Sequence, residues 1–185
     1  ILRCLVGSEM CIRDRTYFGR GPEENYCDRN NGTLVGEYRS TAEQMYYPYV
    51  RPQENGHHTD TRWLTLKQKN GKGLAVYADG TMEFNSLRNS VEDFDGEEAT
   101  NRDYQWNNRD AEELKHDIRT AKDIKPRQTH INDITPRDFV EVCLDMRQMG
   151  VGGFDSWGSI PDPQYLIPAN KEYRCLLYTS DAADD

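Results

Sequence analysis

Apolar and polar residues alternate along much of this chain, and the alternation has the period of β-strands. The clearest case is Phe139 to Met146, where Val140, Val142, Leu144 and Met146 share one face. Thr16-Tyr17-Phe18-Gly19 reads as the tail of a strand that enters a glycine and proline loop, Gly19-Arg20-Gly21-Pro22. Leu34 to Arg39 is a further strand, followed by one helical turn at Ala42-Glu43-Gln44-Met45. Tyr46 to Val50 is aromatic and extended, and Pro48 and Pro52 make it an edge strand or a polyproline-like run. Arg62 to Lys69 leads through the hairpin signal Asn70-Gly71 into Gly73 to Ala78. Asp79-Gly80 then turns into Thr81 to Leu87, which completes an antiparallel meander. The expected class is all-β.

Residues 91–133 break the pattern with a dense run of charges. Ala111 to Lys122 has helix-forming composition, but its apolar stripe of Leu114, Ile118 and Ala121 is thin. The stretch reads as a polar, solvent-facing and partly helical excursion. Pro161, Pro163 and Pro168 make the chain irregular before Glu172-Tyr173-Arg174 begins a last strand.

Composition narrows the function. Only 36% of the 185 residues are hydrophobic and 30% are charged, yet eleven Tyr, five Phe and three Trp argue for a folded chain. A net charge of −9 argues against nucleic acid and anionic membrane surfaces as partners. No apolar run reaches the roughly 18 residues of a membrane helix.

The strongest candidate for chemistry is Met149-Gly150-Val151-Gly152-Gly153-Phe154-Asp155-Ser156-Trp157-Gly158. Four glycines give a backbone that can approach a ligand closely, and Trp157 stands among them beside polar neighbours. Such a loop either stacks a flat apolar group, a sugar face included, or uses its Trp to plug a core; an isolated Trp is more often core. The loop lacks the Lys-Ser/Thr ending of a phosphate loop, and Pro161 argues against a following helix. His57-His58 is tempting as a metal pair, but neighbours on an extended chain face opposite ways and no ligand spacing supports zinc. Carboxylate pairs such as Glu23-Glu24 and Glu92-Asp93 read as adjacent surface groups, not as an acid and a base in contrasting environments. Cys143 reads as a buried thiol, and Asn31-Gly32-Thr33 as a chance glycosylation pattern.

The two ends differ from the middle. Met10-Cys11-Ile12-Arg13-Asp14, with the first two bases of the Arg15 codon, can be encoded by DNA whose reverse complement, read one base in, spells Cys175-Leu176-Leu177-Tyr178-Thr179. The ends therefore resemble translations of one inverted sequence, like the transposon-derived adapters of sequencing libraries. On this reading residues 1–15 and 175–185 are adapter artefacts, and 16–174 is an internal fragment of a longer protein. Residues 1–15 should then pack poorly, whereas Leu176 and Tyr178 alternate well enough to extend the strand begun at Tyr173. Three of the five cysteines fall in these ends, which leaves Cys27 and Cys143 and no disulfide framework.

Several long motifs remain. They are Gly19-Arg20-Gly21-Pro22-Glu23-Glu24-Asn25-Tyr26 with Asp28-Arg29, and Tyr46-Tyr47-Pro48-Tyr49-Val50-Arg51-Pro52-Gln53-Glu54-Asn55-Gly56. Phe84-Asn85, Asp133-Ile134, Met149 to Gly153 and Asp155-Ser156-Trp157 follow in order. Together they resemble the C-terminal, small-chain domain of the large bacterial β-galactosidases of glycoside hydrolase family two, over nearly all of 16–174. The chain departs from that family at Phe154, often Asp or Asn there, and at Cys27, where proline is common. The resemblance implies part of a large antiparallel β-sandwich of the galactose-mutarotase-like type. It implies that Trp157 stacks on a β-galactoside such as lactose in an active site on a separate TIM-barrel domain. The catalytic glutamates of that retaining hydrolase, and the ligands of its Mg²⁺ and Na⁺, would lie on the parent's other domains. The segment itself would then hold no catalytic residue, cofactor site or metal site. Its partners would be the sugar and the remaining domains of a homo-oligomeric enzyme of the bacterial cytoplasm or periplasm, with no nucleic acid and no membrane. The rival reading is a stand-alone carbohydrate-binding or mutarotase-like sandwich, which rests on fold analogy.

Overall fold

A computed structural model describes residues 2–6, 14–67, 73–94, 131–155 and 158–173. Its strands are β1 (Leu2–Val6), β2 (Asp14–Gly21), β3 (Leu34–Thr41), β4 (His58–Lys67), β5 (Gly73–Leu87) and β6 (Val140–Asp145). They form one open sheet in the order β1-β6-β5-β4-β2-β3, every pairing antiparallel. The described residues are predominantly β, and their open antiparallel sheet agrees with the partial all-β sandwich expected from the sequence. The single turns α1 (Ala42–Met45) and α2 (Val91–Phe94) and two short 3-10 helices complete the described elements.

Period two works where one face of a strand is apolar. In β2, Arg15, Tyr17, Gly19 and Gly21 are buried in alternation with less buried neighbours. Register then assembles the core: Tyr17 lies opposite Leu64, Arg15 opposite Leu66, and Phe84 opposite both His58 and Leu144. Tyr17, Leu64, Leu66, Phe84 and Val142 are fully buried. Tyr17 meets Phe84 edge-on with ring centroids 5.2 Å apart. The turn α1 forms as expected and carries a capping box, with Gln44 N donating to Thr41 Oγ1 and Thr41 N donating to Gln44 Oε1.

Four expectations are corrected, and one left open between two alternatives is resolved. Asp79-Gly80 does not reverse the chain. Gly73 to Leu87 is one strand whose two halves both pair with β4, and residues 78–81 bulge between the Trp63–Tyr77 and Thr61–Met82 pairs. The Asn70-Gly71 turn itself lies outside the described residues, although its flanks pair at Lys67 and Gly73. In β6 both faces are buried, since Glu141, Cys143 and Asp145 are as enclosed as Val140 and Val142, while Met146 falls beyond the strand and is exposed. Tyr46 to Val50 pairs with no described strand, and Tyr46, at φ −72° and ψ 125°, takes the polyproline-like alternative. No strand begins at Glu172 or Tyr173; Arg174 and Leu176 to Tyr178 lie outside the described residues.

The fourth correction concerns residues 1–15. Leu2–Val6 pairs with β6 over its whole length, and Asp14 and Arg15 open β2, with Arg15 fully buried. An open sheet edge pairs through backbone N–H and C=O groups, so it accepts whatever extended segment reaches it. The polar excursion is also anchored more firmly than its composition implies. Val91–Phe94 is helical, and Asp93 is buried against Arg137, whose Nε donates to Oδ2 at 2.9 Å. Arg88 Nη2 donates to Arg137 O at 2.8 Å and Asn89 Nδ2 to Thr135 O at 2.9 Å, so the two stems of the excursion are tied together. The helix expected over Ala111 to Lys122 lies outside the described residues.

Candidate functional site

Antiparallel register brings three loops to one region of the sheet. β2 ends where β4 begins, β4 begins opposite Phe84, and β6 ends opposite Glu83. The loop after Gly21, the loop before His58 and the glycine-rich segment after Asp145 therefore meet there.

Asn25 is the knot between the first two loops. Its side chain is fully buried and Oδ1 accepts from Thr59 N at 3.0 Å and Thr59 Oγ1 at 2.6 Å. Its Nδ2 donates to Arg20 O and Glu23 O, each at 3.1 Å, and its backbone N donates to His57 O at 2.7 Å. Glu24 beside it is not the surface carboxylate that its sequence suggests, because its side chain is only 4% exposed. It accepts from Gly56 N at 2.7 Å, Arg29 Nη2 at 2.6 Å and the Tyr49 hydroxyl. Arg29 also lies over the Tyr26 ring, 5.1 Å from its centroid. Burial, with Glu24 close by, pushes the Tyr26 hydroxyl far above its ordinary pKa, so it stays protonated.

The two histidines face apart, as neighbours on an extended chain must. His57 stacks on Tyr26 at 5.3 Å, and its Nε2 lies 3.0 Å from Glu83 Oε2. His58 stacks on Phe84 at 5.2 Å, and its Nδ1 lies 3.1 Å from Arg20 O. A carbonyl only accepts, so His58 Nδ1 carries the proton. Burial lowers the His58 pKa to about 4, against the hydrogen bond to Arg20 O, which raises it, and with a smaller lowering from the neighbouring His57. Among the described residues no three of His, Cys, Asp and Glu converge to hold a metal.

The glycine-rich segment is fastened to this knot. Glu83 Oε2 accepts from Gln148 N at 2.5 Å, and Cys27 Sγ donates to Gln148 O at 3.5 Å. Asp28 Oδ2 accepts from Gly152 N at 2.8 Å, and Gly150 N donates to Tyr165 O at 3.0 Å. Glycine is required at two of these points. A methyl at position 150 would stand 2.6 Å from Asp28 Oδ2, and one at position 152 would stand 2.6 Å from Ser159 O, at a φ of +62°. Gly153 N donates to Ser159 O at 3.2 Å, which joins the described residues on either side of 156–157. No helix follows within 158–162, as Pro161 implies. Ser156 and Trp157 themselves lie outside the described residues.

Chemically this is a scaffold, because its carboxylates are engaged as acceptors by loop donors. Reading the sequence missed Asn25, Glu24, Glu83 and Asp28 as the groups that hold the loops. Three of them stand in the Gly19–Arg29 motif, so the motif carried the signal; Glu83 had none.

Comparison with known proteins agrees on one origin. Residues 9–178 match the family described as beta galactosidase small chain. A beta-galactosidase of Priestia megaterium is 30% identical over 85% of this chain, which covers 12% of that protein. Beta-galactosidase BgaC of Bifidobacterium adolescentis is 33% identical over 84% of the chain and 12% of its own length. A beta-galactosidase of Streptococcus thermophilus is 29% identical over 94% of the chain and 14% of its own. The chain thus spans about an eighth of the length of the relatives it matches.

Proposed function

The chain belongs to the β-galactosidase small-chain family, and from that premise we propose that it is the segment of a retaining β-galactosidase that lends Trp157 to the sugar site. The observation that carries this reading is the anchoring of the glycine-rich segment on both sides of residues 156–157. Gly150 to Gly153 is held by Asp28 and Tyr165, and the Gly153–Ser159 hydrogen bond closes the stretch in which residue 157 stands. Anchored flanks leave less loop entropy to be lost when an aromatic between them stacks on a flat sugar face.

Hydrolysis with retention needs two carboxyl groups flanking the glycosidic bond, one as nucleophile and one as acid and base. Glu24 and Glu83 do not suit that pair, since each already accepts from backbone N–H groups of the loops it holds. In this reading the catalytic pair, and the residues that hold Mg²⁺ and Na⁺, stand on the parent enzyme's other domains. The exposed Met149, Val151, Phe154 and Ile160 around the turn support a face that packs against those domains.

The test is lactose hydrolysis by the full-length enzyme carrying Trp157→Ala. Aromatic stacking of about 1–3 kcal/mol predicts a rise in KM of about tenfold. Unchanged KM and kcat would overturn the proposed role. Extending the source DNA upstream tests the parentage: a barrel domain with paired glutamates supports it, and a start codon near residue 16 would favour a stand-alone sandwich module.

A further inference from the structure

Three Asn-Gly pairs occur in the chain: Asn31-Gly32, Asn55-Gly56 and Asn70-Gly71. The pair is reactive because glycine has no Cβ, so its backbone nitrogen can approach the amide carbon of the side chain before it. Two of the pairs stand in opposite surroundings, and the third lies outside the described residues.

Asn31 and Gly32 are the central residues of the turn that leads into β3. Thr33 N donates to Asn30 O at 3.1 Å, and Thr33 Oγ1 donates to the same oxygen at 2.8 Å. Arg20 Nη1 steadies the base of the turn by donating to Thr33 O at 2.9 Å. Both central residues are exposed, and a Cβ on Gly32 would meet nothing within 4 Å. Among the described residues no hydrogen bond holds the Asn31 side chain or Gly32 N. Asn55 is the reverse case, since it is only 1% exposed. Its Oδ1 accepts from Tyr47 N at 2.9 Å and its Nδ2 donates to Gln53 O at 3.0 Å. Gly56 N is committed as well, donating to Glu24 Oε2 at 2.7 Å. Attack at Asn55 therefore requires both reacting groups to leave their partners first.

We propose that Asn31 is a site of spontaneous deamidation in the folded chain, and that the hydrogen bonds around Asn55 and Gly56 protect the second pair from the same reaction. The Gly32 nitrogen bonds to Asn31 Cγ and gives up its proton. The Cγ–Nδ2 bond breaks, and Nδ2 leaves with that proton as ammonia. The cyclic imide then takes up one water at either of its carbonyls and opens to aspartate or isoaspartate. Solvent water is the sole co-reactant, and the product puts a carboxylate on the turn before β3.

The experiment incubates the whole folded chain in mildly alkaline buffer and follows each Asn-Gly peptide by mass spectrometry after digestion. Aspartate and isoaspartate should accumulate at position 31. Asn55, with three hydrogen bonds to break first, should convert about a hundredfold more slowly. In denaturing urea the two pairs should convert at similar rates. Gly32→Ala places its methyl in open space, so the variant should fold and slow conversion at position 31 severalfold. An Asn31 that stays intact in the folded chain overturns the proposal, and an unchanged rate in Gly32→Ala overturns the imide route. Equal rates at the two pairs in the folded chain overturn the protection of Asn55, as does a lag at Asn55 that persists in urea.

Discussion

Two buried regions of this chain are built on opposite principles. Along the middle of the sheet, Tyr17, Leu64, Leu66, Phe84 and Val142 exclude water by apolar contact. Where the loops meet, Asn25, His57, Thr59 and Asn85 are equally enclosed, but most of what holds them is directed hydrogen bonds. Apolar contact has no direction, so the middle of the sheet can repack around a change of shape. A hydrogen-bonded knot has one working geometry, and an orphaned group in it bears the full cost of desolvation. The knot is therefore the better base for a loop that must stand in one place.

The largest effect is expected in the apolar region. Phe84→Ala removes a fully buried ring that touches Tyr17 and His58, and the cavity should cost about 3–5 kcal/mol, measured by urea denaturation. A loss under about 1 kcal/mol would mean that the sheet is not the stabilising unit.

His58 sits on the boundary, with its ring among Tyr17 and Phe84 and its Nδ1 on the loop carbonyl of Arg20. Its pKa falls from 6.5 to about 4 on folding. Between those values the unfolded chain takes up a proton that the folded chain refuses. Stability is thus complete above pH 6.5 and is lost as pH falls towards 4, by about 3 kcal/mol. Denaturation midpoints of the parent chain and of His58→Gln between pH 7.5 and 4.5 check this. The variant should lack that part of the slope, and parallel slopes would refute it.

In the knot, Asn25→Ala strands the Thr59 N–H and the Arg20 and Glu23 carbonyls. We expect a loss of about 2 kcal/mol, together with faster amide exchange at Gly56 and Thr59, while exchange at Leu64 and Leu66 in the sheet is little changed. Uniformly faster exchange would show that the knot and the sheet open as one unit, and would erase the contrast.

The same contrast explains what the sequence made legible. The strands of the apolar region announce themselves, since alternation in Tyr17, Leu64, Leu66 and Val142 needs no knowledge of partners. Asp79-Gly80 misled because a turn and a bulge use the same residues, and only pairing with β4 distinguishes them. The knot was hidden for a different reason. Asn25, Glu24 and Asp28 look like loop polarity until their partners Thr59, Gly56 and Gly152 arrive from 34, 32 and 124 residues away. Nothing local marks such a residue as buried. The position of Trp157 was legible only as a motif, and that residue lies outside the described part of the structure.

The smallest expected effect tests where the apolar region ends. Arg15 occupies a core slot of β2, opposite Leu66 and fully buried, with its Nε donating to Ser86 Oγ at 2.9 Å. Burial lowers its pKa to about 10, against the opposing charges of Glu43 and Asp14, so the guanidinium stays charged at neutral pH inside an otherwise apolar face. Enclosing a cation costs several kcal/mol before its contacts offset that loss, and well-packed apolar replacements of buried charges are often neutral or stabilising. Arg15→Met keeps the length of the side chain and removes the charge. It gives up the bond to Ser86, worth about 1 kcal/mol, and the attraction of Glu43 and Asp14, and is relieved of the desolvation cost, which the lowered pKa shows to outweigh that attraction, so the urea midpoint should hold or rise. A fall of more than about 2 kcal/mol would place Arg15 with the hydrogen-bonded knot in kind, as a directed contact rather than a tolerated charge in an apolar slot.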